Sequence, residues 1–234
     1  MRAAIIAFVA VAGIAAVAPV RAAELGVYAG ASFAMAKKDA TRSAFENEAL
    51  IVDQLVLFEP QSTTASFDSE DTSYGFVVGW RMSEHLAFEG GYMDLGDVSY
   101  REHSEGQFLS GTDPPGPPRA GTLQQNIDSG TSGIQLSALG ILPLSYRWEV
   151  FGRAGVLISN SVESIFIAND LGNTAKSRGT QSGFDLLAGA GISFSIAEIY
   201  NLRLEYVRVF DAGDDQTLDE ADVDMAMLNV TVSF

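Results

Sequence analysis

Four charged residues in this sequence could meet inside the folded chain: Glu89, Arg153, Arg203 and Glu205. Each lies in a segment where apolar and polar residues alternate, and each occupies the polar side of that alternation. Successive side chains of a β-strand point to opposite faces, so these two carboxylates and two guanidinium groups would share one face. Enclosed charges are tolerated when they are paired. We therefore predict a lumen charge cluster with a structural role.

Eight alternating segments would position these charges. They cover about residues 25–35, 73–82, 85–93, 134–142, 146–158, 184–196, 200–206 and 226–234. Short connections between them alternate with long ones near residues 36–72, 102–133, 160–182 and 211–223. Short turns on one side and long loops on the other are typical of outer-membrane barrels. The fold prediction is all-β: an eight-stranded antiparallel up-and-down transmembrane β-barrel with long extracellular loops, following a signal peptide.

The direction of the apolar faces separates this fold from a soluble alternative. A lipocalin-like barrel would place apolar residues inside and the charges in water. Six aromatic residues, however, lie beside the short turns or at the chain end, which indicates an interfacial aromatic girdle. They are Trp80, Tyr146, Trp148, Phe194, Tyr200 and Phe234.

The first 22 residues are predicted to be a secretory signal peptide, because Arg2 precedes an apolar stretch that ends in small residues. An uncleaved membrane helix is the alternative, but about 16 apolar residues are few for a span. Cleavage would remove Arg2 and Arg21 and take the net charge from −16 to −18. So acidic a chain would repel nucleic acid. Without cysteine it can form no disulfide or thiolate metal site.

Few residues offer catalytic or metal chemistry. His85 is expected at a short turn, and His103 in a loop beside acids and a serine. A catalytic triad depends on three-dimensional geometry that such neighbours seldom supply, so we predict no enzyme activity. The acidic residues 211–222 lack the ligand spacing of an EF-hand, and a solvated charge cluster is favoured over loose divalent-cation bridging. No metal or cofactor is expected.

Residues 49–58 form an apolar run inside the first long connection. They could extend the barrel as a hairpin arm, form a short helix or present a binding surface. Packing of the loop against itself is the favoured interpretation.

Several motifs resemble the transmembrane domain of the OmpA-like family of eight-stranded outer-membrane proteins. The best single match is Phe88-Glu-Gly-Gly-Tyr-Met-Asp-Leu-Gly96, and Ile134-Gln-Leu-Ser-Ala138 and Arg203-Leu-Glu-Tyr206 are similar to later strands of the family. Each motif is weak alone, but their order and spacing extend the resemblance from Leu25 to Phe234. The family's separate peptidoglycan-binding domain is not expected in this protein.

The resemblance implies further expectations. Glu89 and Arg203 fall on one of the family's lumen ion pairs, whereas the other pair falls on Leu139 and Ser193, which are neutral. In the family such pairs plug the barrel and have been proposed as an ion gate, so the resemblance implies either role. The replacement of both partners by neutral residues favours a plug over a switchable gate. The terminal Phe234 is expected to be the signal for the barrel-assembly machinery.

The function expected from the sequence is that of a monomeric, integral outer-membrane barrel with a structural or surface-interaction role. A narrow ion channel or porin-like transport is the alternative, and a lipid-modifying enzyme is less favoured. The expected partners are outer-membrane lipid and lipopolysaccharide, the assembly machinery and an extracellular ligand of the loops.

Overall fold

The computed structural model describes residues 25–110, 116–197, 199–212 and 221–234. The predicted signal peptide, residues 1–22, therefore lies outside the described residues. Within them the chain forms nine strands and one helix: β1 (Gly26–Lys38), α1 (Arg42–Leu55), β2 (Phe58–Asp68), β3 (Glu70–Arg81), β4 (Leu86–Phe108), β5 (Arg119–Pro143), β6 (Trp148–Asn169), β7 (Thr174–Ser195), β8 (Tyr200–Ala212) and β9 (Ala221–Ser233).

Eight of these strands close into a ring, which confirms the predicted fold. Each strand pairs antiparallel with the next in the order β1, β3, β4, β5, β6, β7, β8 and β9. The first and last strands then pair with each other, from Tyr28 opposite Ser233 to Lys38 opposite Val223. Closure removes the open edges of the ring, which a bilayer demands of spanning strands.

The alternation of side chains places the charges inside and the apolar residues outside. Leu204 is 56% exposed, whereas its neighbour Glu205 is 2% exposed. The same contrast runs along β3, where Tyr74, Phe76, Val78 and Trp80 are exposed and Arg81 is buried. The outward apolar band is therefore the surface that faces lipid. No helix in the described part of the chain has the length and hydrophobicity to cross a membrane.

The long connections differ from the predicted loops, because most of their residues belong to strands. β4 continues to Phe108 and β5 begins at Arg119, inside the segment predicted as a loop near 102–133. In the segment near 160–182, β6 and β7 stay paired as far as Ala168 opposite Thr174. Strand pairing is made by the backbone, so polar side chains on both faces did not prevent it.

A β-bulge explains why the alternation predicted for residues 85–93 does not continue in the sequence, although β4 itself does. The pairing with β5 shifts register between Asp94 and Asp97, and Gly96 has φ +76°. Glycine adopts this left-handed conformation without the steric penalty of a Cβ. The extra residue exchanges the two faces of the strand, so Val98 and Tyr100 point inward although their numbers are even. A strict period of two counted from Glu89 therefore fails after the bulge.

The first connection folds into α1 and β2 instead of an irregular loop. Most of the apolar run at residues 49–58 belongs to α1, in agreement with the helical alternative. α1 buries Phe45, Ala49 and Val52, and Phe45 packs on Tyr100 of β4 with ring centroids 6.4 Å apart. The helix thus lies against the inner face of the strands that extend beyond the band. In the fourth connection, β8 ends at Ala212 and β9 begins at Ala221, and residues 213–220 lie outside the described part.

Candidate functional site

The lumen brings together the four charged residues singled out from the sequence. Glu89 Oε2 lies 2.7 Å from Arg153 Nη2, and Glu89 Oε1 lies 2.5 Å from Arg203 Nη1. Arg153 also donates to both carboxylate oxygens of Glu205, at 2.5 and 3.0 Å. All four residues are at most 8% exposed. Two carboxylates and two guanidinium groups thus form one network with no net charge.

The barrel geometry explains why residues so distant in sequence meet. Glu89 lies on β4, Arg153 on β6, and both Arg203 and Glu205 on β8, so every second strand of this part of the ring contributes. Inward side chains of an eight-stranded barrel fill its interior. Long arginine side chains can then reach carboxylates across the lumen, where they are buried.

Tyr28 of β1 completes the network and was not singled out from the sequence. Its hydroxyl donates to Glu89 Oε1 at 2.6 Å, and the Arg203 guanidinium lies 4.9 Å from the centre of its ring. Gly79 faces Tyr28 on the neighbouring strand, and a Cβ at Gly79 would lie 2.1 Å from the ring atom Cζ. The absence of a side chain at that position therefore makes room for the tyrosine. The sequence signal that could have identified Tyr28 as a lumen residue is its position on the polar face of β1.

The lumen contains a second buried ion pair, Arg81–Glu149, which the sequence analysis does not predict. Arg81 donates to both oxygens of Glu149, at 2.9 and 2.8 Å, and to the backbone oxygen of Glu84 at 2.9 Å. Both side chains are about 5% exposed. Bidentate geometry of this kind is the strong form of an arginine–carboxylate contact. Glu149 is thus bound to Arg81, whereas the acidic partners of Arg153 are Glu89 and Glu205.

The lumen consists of alternating polar and apolar layers, which the inward residues of β6 follow. Glu149, Phe151, Arg153, Leu157 and Ser159 point inward in that order, and each is at most 6% exposed. Phe151 belongs to an apolar cluster and Leu157 to a larger one. Leu139 and Ser193, the neutral positions of the second family pair, are also buried. The arrangement fills the lumen and supplies no continuous polar path along β6.

The six aromatic residues predicted as a girdle lie on the outward face near the short connections. Trp80, Tyr146, Trp148 and Phe234 are exposed, and Phe194 and Tyr200 are half-buried. The rings of Trp148 and Phe194 pack with centroids 4.7 Å apart. The backbone N–H of Phe234 donates to Val27 at 2.9 Å, which ties the chain end to β1. Its role as an assembly signal stays a prediction.

The residues near His103 do not form a catalytic arrangement. His103 lies on β4 and not in a loop, and it faces outward, whereas Glu102 and Ser104 are buried on the inner face. Neighbours on a strand point to opposite faces, so base and hydroxyl are kept apart. His85 lies in a short turn, with Nδ1 3.2 Å from the backbone oxygen of Ile141. Among the described residues no group of three acidic or histidine side chains is placed to hold a metal ion.

A buried acidic pair lies where α1 meets the extended strands. Asp53 of α1 is 3% exposed and accepts a hydrogen bond from Gln125 Nε2 at 2.6 Å. Glu102 accepts from Tyr100 at 2.5 Å and from Ser104 at 2.8 Å. Burial raises the pKa of Asp53 to about 6, with a further contribution from the negative charge of Glu102. This pair was not predicted, because it depends on the docking of a helix.

Solved structures similar to this chain are outer-membrane barrels. Neisserial surface protein A is 14% identical with a TM-score of 0.47, and the match covers 89% of this chain and 97% of that one. The N-terminal β-barrel domain of OprF from Pseudomonas aeruginosa is 12% identical with a TM-score of 0.43, covering 90% and 98%. OprG from the same organism is 11% identical with a TM-score of 0.37, covering 92% and 97%. No curated protein matches the sequence.

The model of the OmpA-like transmembrane domain matches residues 22–234, nearly the whole chain. This match agrees with the closed ring of eight strands and with the outward apolar band. The chain therefore belongs to the OmpA-like transmembrane-domain family and is a β-barrel of the outer membrane.

Proposed function

We propose that this barrel has a structural and surface-interaction role in the outer membrane and that its lumen is closed to ions. The observation that carries the proposal is the sharing of Glu89 between Arg153 and Arg203, with Glu205 as the second acid. This network crosses the lumen and leaves no charge of its own without a partner. A permeating ion would have to replace several short, buried contacts at once, and each broken buried ion pair is costly.

A gate requires two arrangements of similar energy, and the contacts favour one. In the gate hypothesis an arginine exchanges its carboxylate for another. Here Arg153 already binds both acids of the network, and Glu149 binds Arg81. An exchange would leave at least one carboxylate without a cation in the interior. We therefore favour the plug over the narrow channel.

Planar-bilayer recording of the purified, folded barrel tests the closed lumen. We expect no steady conductance at neutral pH from the wild-type protein or from Leu204→Ala, a lipid-facing control that is 56% exposed. Arg153→Ala combined with Glu205→Ala removes both members of one pair, and openings of this double variant alone would assign the block to the network. Steady openings of the wild-type protein would contradict the proposal and favour transport.

The proposed partners follow from the surfaces of the barrel. The outward band would contact outer-membrane lipid and lipopolysaccharide, and β9 with Phe234 would engage the assembly machinery. The strands beyond the band would present the surface for an extracellular ligand. No catalytic step is proposed, in keeping with the separation of His103 from Ser104 on the two faces of β4.

A further inference from the structure

Beyond the closed ring, part of the barrel wall continues as an open sheet. β2 and the outer halves of β4, β5, β6 and β7 form this extension. Within the described residues β2 pairs with β4 alone, from Phe58 opposite Phe108 to Asp68 opposite Ser99. On the other side, β7 pairs with β8 only from Leu186 onward. Among the residues that the structure describes, the extension therefore has two edges without a paired strand, β2 and the outer half of β7.

The two edges differ in the residues that discourage added strands. Lys176 and Arg178 lie on the outer half of β7, and charged side chains protect an edge from pairing with another chain. In β2 the run from Gln61 to Phe67 contains no charged residue, and Pro60 precedes it at a register shift. Gln61, Ser62, Thr64 and Ser66 are exposed. From Gln61 to Phe67, β2 thus offers an uncharged edge that β7 does not, and the proline and the register shift before it limit the edge to this run.

We infer that the free edge of β2 binds an extended polypeptide segment, which adds to the sheet as a further strand. Free backbone N–H and C=O groups of an edge strand supply the hydrogen bonds in this mode of recognition, and alternate side chains supply selectivity. The inference rests on the proposed surface-interaction role and names the class of ligand for it.

The charges at the two ends of the edge describe the segment that fits. Glu59 and Asp68 are both exposed and lie about 30 Å apart along the strand. They favour a segment of about nine residues with an uncharged middle and a basic residue at each end, because the two end side chains of such a strand point to the same face. A second copy of this chain fits less well. Antiparallel pairing of two β2 strands about Thr63 and Thr64 would set Glu59 of one copy against Asp68 of the other, and like charges directly opposite are destabilising.

Binding of a defined peptide to the full mature barrel in a lipid nanodisc tests the inference. The probe is fluorescein-labelled Lys-Thr-Val-Thr-Val-Thr-Val-Thr-Lys, followed by fluorescence anisotropy. We expect saturable binding, and at least tenfold weaker binding of the same peptide carrying N-methyl groups on alternate amides, because these remove its donors. Absence of saturable binding, or equal binding of the methylated peptide, would overturn the inference.

Two proline variants locate the binding edge. The backbone N–H groups of Thr63 and Thr64 point to opposite sides of β2, one toward β4 and one toward the free edge. One of the variants Thr63→Pro and Thr64→Pro therefore removes a donor from the free edge and leaves the pairing with β4 intact. We expect that variant to keep its resistance to SDS without boiling and to bind the peptide at least tenfold more weakly. Binding by both variants equal to wild type would overturn the assignment to β2.

A control on the opposite edge and a mass measurement complete the design. Arg178→Ser removes a protecting charge from β7 and should leave peptide binding unchanged, whereas stronger binding would move the site to β7 and overturn the inference. If sedimentation revealed a dimer that one of the proline variants abolishes, the occupant of the edge would be a second copy of this chain, and the inference of a peptide ligand would be refuted. The conductance test is independent of these results, since a closed lumen without peptide binding would refute this inference and leave the plug intact.

Discussion

Arg153 is the residue on which the lumen network depends most, because it alone contacts both buried acids. It lies 2.7 Å from Glu89 and 2.5 Å from Glu205, and it also donates to Gln135 and Ser137 at 3.2 Å. Of the two acids, Arg203 contacts only Glu89, and Glu89 would keep Arg153 if Arg203 were removed. The two arginines therefore contribute unequally, although each is buried and each belongs to a short ion pair.

Replacing each arginine with leucine tests this difference. We expect Arg153→Leu to lower the free energy of unfolding by about 3–5 kcal/mol, because it leaves Glu205 without a cation. Arg203→Leu should cost about 1–3 kcal/mol, since Glu89 keeps one partner. Urea titration of the detergent-folded barrel, followed by tryptophan fluorescence, measures both values.

An exposed pair provides the control for the arginine series. Arg208 lies 3.2 Å from Asp222 and 3.3 Å from Asp224, and its side chain is 38% exposed. Solvated pairs contribute about 0–1 kcal/mol, so Arg208→Leu should change little. A larger loss for Arg203→Leu than for Arg153→Leu would contradict the proposed hierarchy.

At the scale of elements, we expect the docking of α1 to depend on pH. Its inner face packs on β4 and β5, where Asp53 lies near Glu102. The other ionisable groups nearby are Glu46 and Arg42 on the helix itself and Tyr100 on β4. Burial of Asp53 favours its neutral form, so the pKa of about 6 in the docked state exceeds the value of about 3.9 of a free aspartate.

The docking of α1 should weaken as pH rises from about 4 to about 6. The docked state binds more protons than the undocked state in this interval, so docking is strongest below the lower pKa and loses stability as Asp53 ionises. The change is up to about 2–3 kcal/mol, from the two-unit difference in pKa. Hydrogen exchange of the α1 amides, corrected for the intrinsic effect of pH on exchange, measures it.

Substitutions on the same helix assign the effect. Asp53→Asn should make protection of α1 independent of pH in this interval, whereas Glu48→Gln should leave the dependence as in wild type. Protection that increased between pH 4 and pH 6 in the wild-type protein would show that Asp53 is stabilised as a carboxylate and that our account of its burial is incorrect.

At the scale of the whole molecule, the barrel has apolar side chains on its outside and charged side chains inside, the reverse of a soluble barrel. Leu204 belongs to the outward apolar band, and Glu205 points into the lumen. Oxygen dissolved in the acyl chains should therefore increase the relaxation rate of a spin label at position 204, and it should not affect a label at position 205. The reverse result would refute the orientation of every strand, since the ring fixes all eight together.

The sequence determined the fold class, the direction of the strands' faces and the four residues of the lumen cluster. All of these follow from a period of two, which is a local property of the extended chain. Glu89 and Arg203 could be assigned to one face without knowing how far apart they lie.

Only the tertiary structure decided which carboxylate each arginine contacts, how Tyr28 enters the network, and where the strands end. Partners across a lumen depend on the closure and register of the whole ring, which no single segment encodes. The bulge at Gly96 shifts one strand by a residue, and the docking of α1 buries Asp53 against strands far away in the sequence. These features arise from contacts between segments that are distant in sequence, which a local period of two does not encode.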